Sequence, residues 1–227
     1  MNIDELLLVS EKDLMDKYTC KENPRRYYKS LLDDDVLPLK GSFLISPKGI
    51  ALVKFMTWVW LSGSIHCKKY TPSVSDDDKY LLKYLKDRDF GPLEKKFQIR
   101  KGTLTLSESG GAYGRLISAA GVLPGNGLPL YAKQIMKCDS SNHRDYLLEV
   151  MTRIIFKDRL KAGLDYRPNY LFLNRFSEKD NALNHGLEIL DFLNARGNVY
   201  SPDQVKAYKD GDKYKCMLVL KNEIKLC

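Results

Sequence analysis

The chain has 227 residues, 44% of them hydrophobic, and carries 37 Lys and Arg against 29 Asp and Glu, a formal charge of +8. That size and apolar fraction suit a self-folding chain of one domain or two small lobes, and the charge favours polyanionic partners over acidic substrates. Five cysteines (Cys20, Cys67, Cys138, Cys216 and Cys227) lie far apart and form no C-x-x-C pair, which argues for a reducing compartment and against a disulfide framework.

The start, MNIDELLLVSEKDL, lacks the basic and long apolar regions of a signal peptide. The most apolar run, GIALVKFMTWVWLSG, is broken by Lys54 and is shorter than the roughly 20 residues of a spanning helix. A cytoplasmic protein is therefore expected.

In chain order, residues 11–17 are expected to form a short helix capped by Ser10, and residues 25–33 a second one just after Pro24. Ser46 then Pro47 is an N-cap followed by an N1 proline, which predicts a helix over 47–61 ending at Gly63, apolar nearly all round and so buried. TPSVSDDDKYLLKYLKDRDFGP predicts another, with Ser75 as cap, Asp76, Asp77 and Asp78 in the first turn where the dipole favours anions, and Gly91-Pro92 as stop. Residues 97–106 alternate at period two and predict a strand pair or one bent strand. A glycine-rich helix is expected at about 108–120, then a hinge at 121–129, GVLPGNGLP.

The second half is expected to hold helices at about 129–137 and 142–161. In the latter, Arg153, Lys157 and Lys161 form a basic edge beside an apolar face. FSEKDNALNHGLEILDFLNARGN predicts a helix capped by Ser177 and closed at Gly197, SPDQVKAY a short helix, and KYKCMLVLKNEIKLC a strand or a hairpin turning near Lys221-Asn222. The fold class this predicts is mainly α with a small β component: two helical lobes, 1–121 and 122–227, joined by the Gly/Pro-rich hinge.

No catalytic motif survives its context. SESGGAYGR has neither the Walker nor the G-x-G-x-x-G spacing, and the nucleophile elbow is missing. Ser201, Pro202 and Asp203 read as capping chemistry at a helix start. Two loose pairs, His66-Cys67 and Cys138 with His143, fall short of the four converging ligands zinc requires, and the carboxylate runs at 33–35 and 76–78 have structural roles at helix ends. No cofactor, metal or catalytic residue is therefore expected. A metal-dependent nuclease assembled from scattered carboxylates stays an alternative reading.

Basic residues interleaved with aromatics do recur: RRYYK, KKY, KYLLKYLK and KKFQIRK. Cations neutralise phosphates without reading sequence, and aromatic rings stack bases, so the mixture suits single-stranded RNA. The competing explanation is half-buried core tyrosines beside solvated lysines. The candidate RNA-binding residues are Arg25, Arg26, Tyr27, Lys68, Lys69, Lys95, Lys96, Arg100, Lys101, Arg115, Arg153 and Lys157. Gly110, Gly111 and Gly114 would let either a neighbouring element or a phosphate backbone come close.

GTLTLSESGGAYGRLI resembles the LTL segment and following small-residue helix in nucleoproteins of segmented negative-strand RNA viruses of the bunyavirus group. The resemblance implies a bilobed helical protein that holds single-stranded RNA in a basic cleft and self-associates through terminal arms. Glu108 stands where such proteins often carry a basic residue, and the C-terminus reads as a strand instead of an arm helix. A homo-oligomer coating RNA is the first expectation; a matrix or accessory protein facing an anionic membrane surface or partner proteins is the second.

Overall fold

The computed structural model describes residues 1–15, 24–67, 69–75, 82–83, 85–86, 90–106, 111–123, 127–155, 170–197 and 200–219, without the side chains of 24–28, 62, 75, 94–95 and 170–175. A 3-10 turn (Ile3–Glu5) leads to β1 (Leu7–Val9), α1 (Glu11–Met15), α2 (Pro24–Asp33), β2 (Leu39–Lys40), α3 (Gly41–Leu44) and α4 (Pro47–Ser62). Next come β3 (Gly63–Ile65), β4 (Pro72–Ser75), a 3-10 helix (Gly91–Lys96), β5 (Phe97–Arg100), β6 (Thr103–Leu106) and α5 (Ala112–Ala119). The remainder is α6 (Leu130–Met136), α7 (Asn142–Arg153), β7 (Tyr170–Phe176), α8 (Lys179–Asn194), a 3-10 turn (Pro202–Gln204), β8 (Val205–Asp210) and β9 (Lys213–Val219).

The expected mainly α class is corrected by this inventory: among the described residues 54% are helical and 20% are strand, in three small sheets, which is a mixed α/β fold. Strands β1 to β4 are hard to see in the sequence because they run four residues or fewer, too short for a period-two pattern to rise above chance. Strand order is β1-β2, β3-β4-β6-β5 and β7-β9-β8, and every pairing is antiparallel.

Helix α4 sits at the centre. Ser46 Oγ accepts the Gly49 N–H at 3.0 Å, Pro47 occupies the first turn where no N–H is needed, and the helix closes at Gly63. Phe55 packs edge-on against Phe90 and Phe97, with ring centroids 5.6 and 4.7 Å away. Thr57, also buried, donates to the Val53 carbonyl at 2.8 Å; its oxygen then accepts from the Tyr131 hydroxyl of α6 at 3.0 Å. Trp60 meets the ring of His185 on α8 at 5.7 Å. One apolar cluster therefore includes residues from both sides of position 121, among them Leu52, Phe55, Tyr131, Leu147 and Ile189.

At the start of α1, Ser10 Oγ accepts the Asp13 N–H at 3.1 Å, as its capping role requires. The 97–106 segment is a hairpin turning at Lys101-Gly102, both with positive φ. Ser75 ends a strand, and the Asp76–Asp78 run lies outside the described residues. Ser177 does not cap α8; Glu178 holds that position. SPDQVKAY is a 3-10 turn running into β8 instead of a helix, and β8 turns into β9 at Gly211-Asp212; Lys221-Asn222 lie outside the described residues. Gly211 supplies the positive φ that such a tight turn needs.

Candidate nucleic-acid interface

The β3-β4-β6-β5 sheet and its turns carry Lys69, Arg100 and Lys101, and strand register decides how these stand to one another and to Lys96 just before β5. Phe97 pairs with Leu106 and Arg100 with Thr103, while Ser73 pairs with Thr105 and Ser75 with Thr103. Lys69 and Lys96 therefore lie towards one end of the sheet and the Arg100-Lys101 tip at the other, about 10 Å away along β5. At that tip both side chains are exposed and, among the described residues, neither has an ion-pair partner. Lys69 is exposed too, its N–H donating to His66 Nδ1 at 3.1 Å.

Three other candidates already have partners within the chain. Arg115 is 2% exposed, and its guanidinium stacks on the Tyr70 ring at 4.3 Å. Lys96 reaches Asp34 at 2.7 Å and lies over the Tyr113 ring at 5.7 Å. Arg153 is exposed but pairs with Glu149 one turn earlier on α7. Arg25, Arg26 and Tyr27 occupy the first turns of α2, and Lys95 the 3-10 helix, but their side chains lie outside the described set, as do Lys68 and Lys157 altogether.

The glycine segment serves packing. A Cβ on Gly111 would overlap the Lys69 carbonyl oxygen, and one on Gly114 the Tyr70 carbonyl oxygen. The first turn of α5 thus lies directly on the 69–72 backbone, in the space a phosphate would need. Gly110 lies outside the described residues.

Asp34 is the electrostatic centre of this half. Its carboxylate accepts from Lys96 Nζ at 2.7 Å and the Tyr113 hydroxyl at 2.9 Å, and Lys48 Nζ stands 3.6 Å away while donating to the Asp34 carbonyl. Burial pushes the carboxyl up, but Lys96 and Tyr113, with Lys48 beyond them, outweigh it and hold Asp34 below the ordinary value.

No protein-family model matches the chain, and no curated protein is similar to it in sequence. Its own residues must carry the functional reading.

Among the described residues no three His, Cys, Asp or Glu side chains gather as metal ligands, and no helix is long and apolar enough to cross a membrane. His66 is tied to its own turn, His143 Nδ1 lies 3.1 Å from Asp4, and His185 is buried against Trp60 and Phe176. The Cys216 thiol, pressed under α8, is pushed up to about 12 by burial and is no nucleophile at neutral pH. Sequence reasoning missed the exposed cations Lys206, Lys209 and Lys213 on the β8-β9 hairpin. Their signal was the Gly211-Asp212 turn between two alternating runs, masked by the helix-start look of Ser-Pro-Asp.

Proposed function

We propose that the chain is a sequence-nonspecific single-stranded RNA-binding protein of the cytoplasm that self-associates along the strand, in the manner of a nucleoprotein. The observation that carries the reading is the Arg100-Lys101 hairpin tip, two adjacent exposed cations with no described counter-ion on a chain of formal charge +8. Unpaired cations on a rigid turn meet phosphates with little desolvation or reordering, and the contact is indifferent to sequence. Lys69 adds charge at the opposite end of the same sheet, whereas Arg115 and Lys96 act within the fold and Arg153 is paired with Glu149.

The test is the 260/280 nm absorbance ratio and size-exclusion profile of protein purified without nuclease, before and after a high-salt wash, followed by titration of labelled RNA. Large RNA-containing assemblies that shrink when RNA is removed support the reading. Arg100→Glu with Lys101→Glu is expected to weaken RNA binding by about tenfold or more and to flatten the salt dependence by about 0.7 log units for each phosphate no longer neutralised. A nucleic-acid-free, salt-insensitive monomer would sink the reading and turn attention to anionic vesicles.

A further inference from the structure

Strand β8 (Val205–Asp210) ends the β7-β9-β8 sheet: among the described residues it pairs with β9 on one side and with no strand on the other. The turn at Gly211-Asp212 fixes which of its backbone groups face outward. Asp210 and Lys213 close a two-residue hairpin and so exchange hydrogen bonds; along the unbroken register Tyr208 and Lys206 are then bonded to β9, while Ala207 and Lys209 turn their N–H and C=O groups away from it. Among the described residues no backbone group reaches those of Ala207 and Lys209 from outside the sheet. Side chains alternate across the strand: Val205 is buried and Ala207 packs against the same core under α8, and Lys206, Tyr208 and Asp210 lie on the other face. Lys206 and Lys209 are exposed. A six-residue edge with neither bulge nor proline is a template for a further strand.

We propose that this edge is a dimer contact, on which a second copy of the chain lays its own β8 antiparallel and joins the two three-stranded sheets into one. The inference deepens the self-association in the reading above by naming a surface for it. Outward groups bond only to outward groups, so Ala207 faces either Ala207 or Lys209 of the second copy, or Lys209 faces itself. Charge selects among these registers. With Ala207 against Lys209, each Lys206 stands opposite Asp210 of the other copy and Tyr208 meets its own counterpart on the two-fold axis; the next register one way sets Lys209 against Lys209, and the next the other way loses both Lys206–Asp210 matches. β8 is thus complementary to itself in a single register, which an unrelated strand has no reason to be. Asp210 already faces Lys213 and lies 3.5 Å from Lys215, so the second copy's lysine adds to a cation cluster instead of founding a new pair. Two six-residue strands bury less than the roughly 1,000 Å² of a stable interface, so the dimer is reversible.

Analytical ultracentrifugation of the full chain, stripped of nucleic acid and followed up to about 1 mM protein, tests this. A monomer–dimer equilibrium is expected. Lys206→Glu sets two acids against each other at both ends of the pair and should raise the dissociation constant about tenfold or more. Ala207→Pro removes an N–H that β9 does not use and should abolish the dimer. Should the proline variant fail to fold, oxidation of Tyr208→Cys still decides: the two positions on the axis lie about 4.5 Å apart between Cα atoms, within disulfide reach. Mass spectrometry should then find the peptide containing position 208 joined to its own copy, while Lys209→Cys, which faces Ala207, should link far less. A chain that stays monomeric throughout overturns the proposal, as does a dimer indifferent to Lys206→Glu and not linked at position 208. Slow amide exchange at Ala207 and Lys209 in the monomer would assign the edge to another segment of the same chain and overturn it too. All of these are read without RNA, so their failure leaves RNA binding standing, and assembly that appears only when RNA is added would place self-association on a different surface.

Discussion

Asp34 joins the end of α2 to three other elements, through Lys48 of α4, Lys96 of the 3-10 helix and Tyr113 of α5. Replacing it with Asn leaves two ammonium groups facing a neutral amide, and we expect a loss of about 1–3 kcal/mol in chemical denaturation. Because its folded pKa is depressed, its contribution is fully present above the ordinary value of 3.8 and is lost as the pH falls below that, through the folded value. Stability curves of wild type and Asp34→Asn should therefore converge in acid, and parallel curves would show that Asp34 is not the group responsible. Gly114 gives a second test at this scale. A methyl there meets backbone that cannot step aside, so Gly114→Ala should cost about 2 kcal/mol or more, while Gly91→Ala, with nothing within 4 Å, should stay within about 0.5 kcal/mol. Equal melting temperatures for the two variants would refute the packing account.

At the level of elements, Glu188 on α8 fastens the segment that the sequence marks as a hinge. Its carboxylate accepts the Leu128 N–H and pairs with Lys133 of α6, and Gly127 lies against it with no room for a side chain. Glu188→Ala should cost about 1–2 kcal/mol and speed hydrogen exchange at Leu128, with Glu188→Gln recovering part of both. Unchanged exchange at Leu128 would mean that other contacts hold the segment. Much at this scale was legible beforehand: α4 from its Ser-Pro start and apolar girth, α8 from its leucine stripe, and the β5-β6 hairpin from alternation. The other short strands, β1 to β4, were not, because two to four residues without a visible alternation derive their strand character from partners elsewhere in the chain. Nor was the interior place of Arg115, since a guanidinium beside glycines reads as surface charge until Tyr70 is brought over it by the β3-β4 turn. The β8-β9 hairpin was legible in principle from Gly211-Asp212, and was overridden by a capping pattern that here starts only a single 3-10 turn.

Across the whole molecule, α4 takes neighbours from both halves of the chain: Phe90 and Phe97 from before position 121, Tyr131, His185 and α7 from after it. Synthesis on the ribosome proceeds from one end only. When α4 emerges, the residues that will cover Thr57 and Trp60 are still untranslated, and they follow only after 70 or more further residues, since Tyr131 lies 74 positions beyond Thr57. The nascent chain therefore carries an apolar helix with an uncovered side for several seconds at ordinary elongation rates of about 5–20 residues per second. Slowed translation, or release of a chain ending near position 121, should leave that side sticky, making the protein a client of holding chaperones during its own synthesis, whatever its later partners.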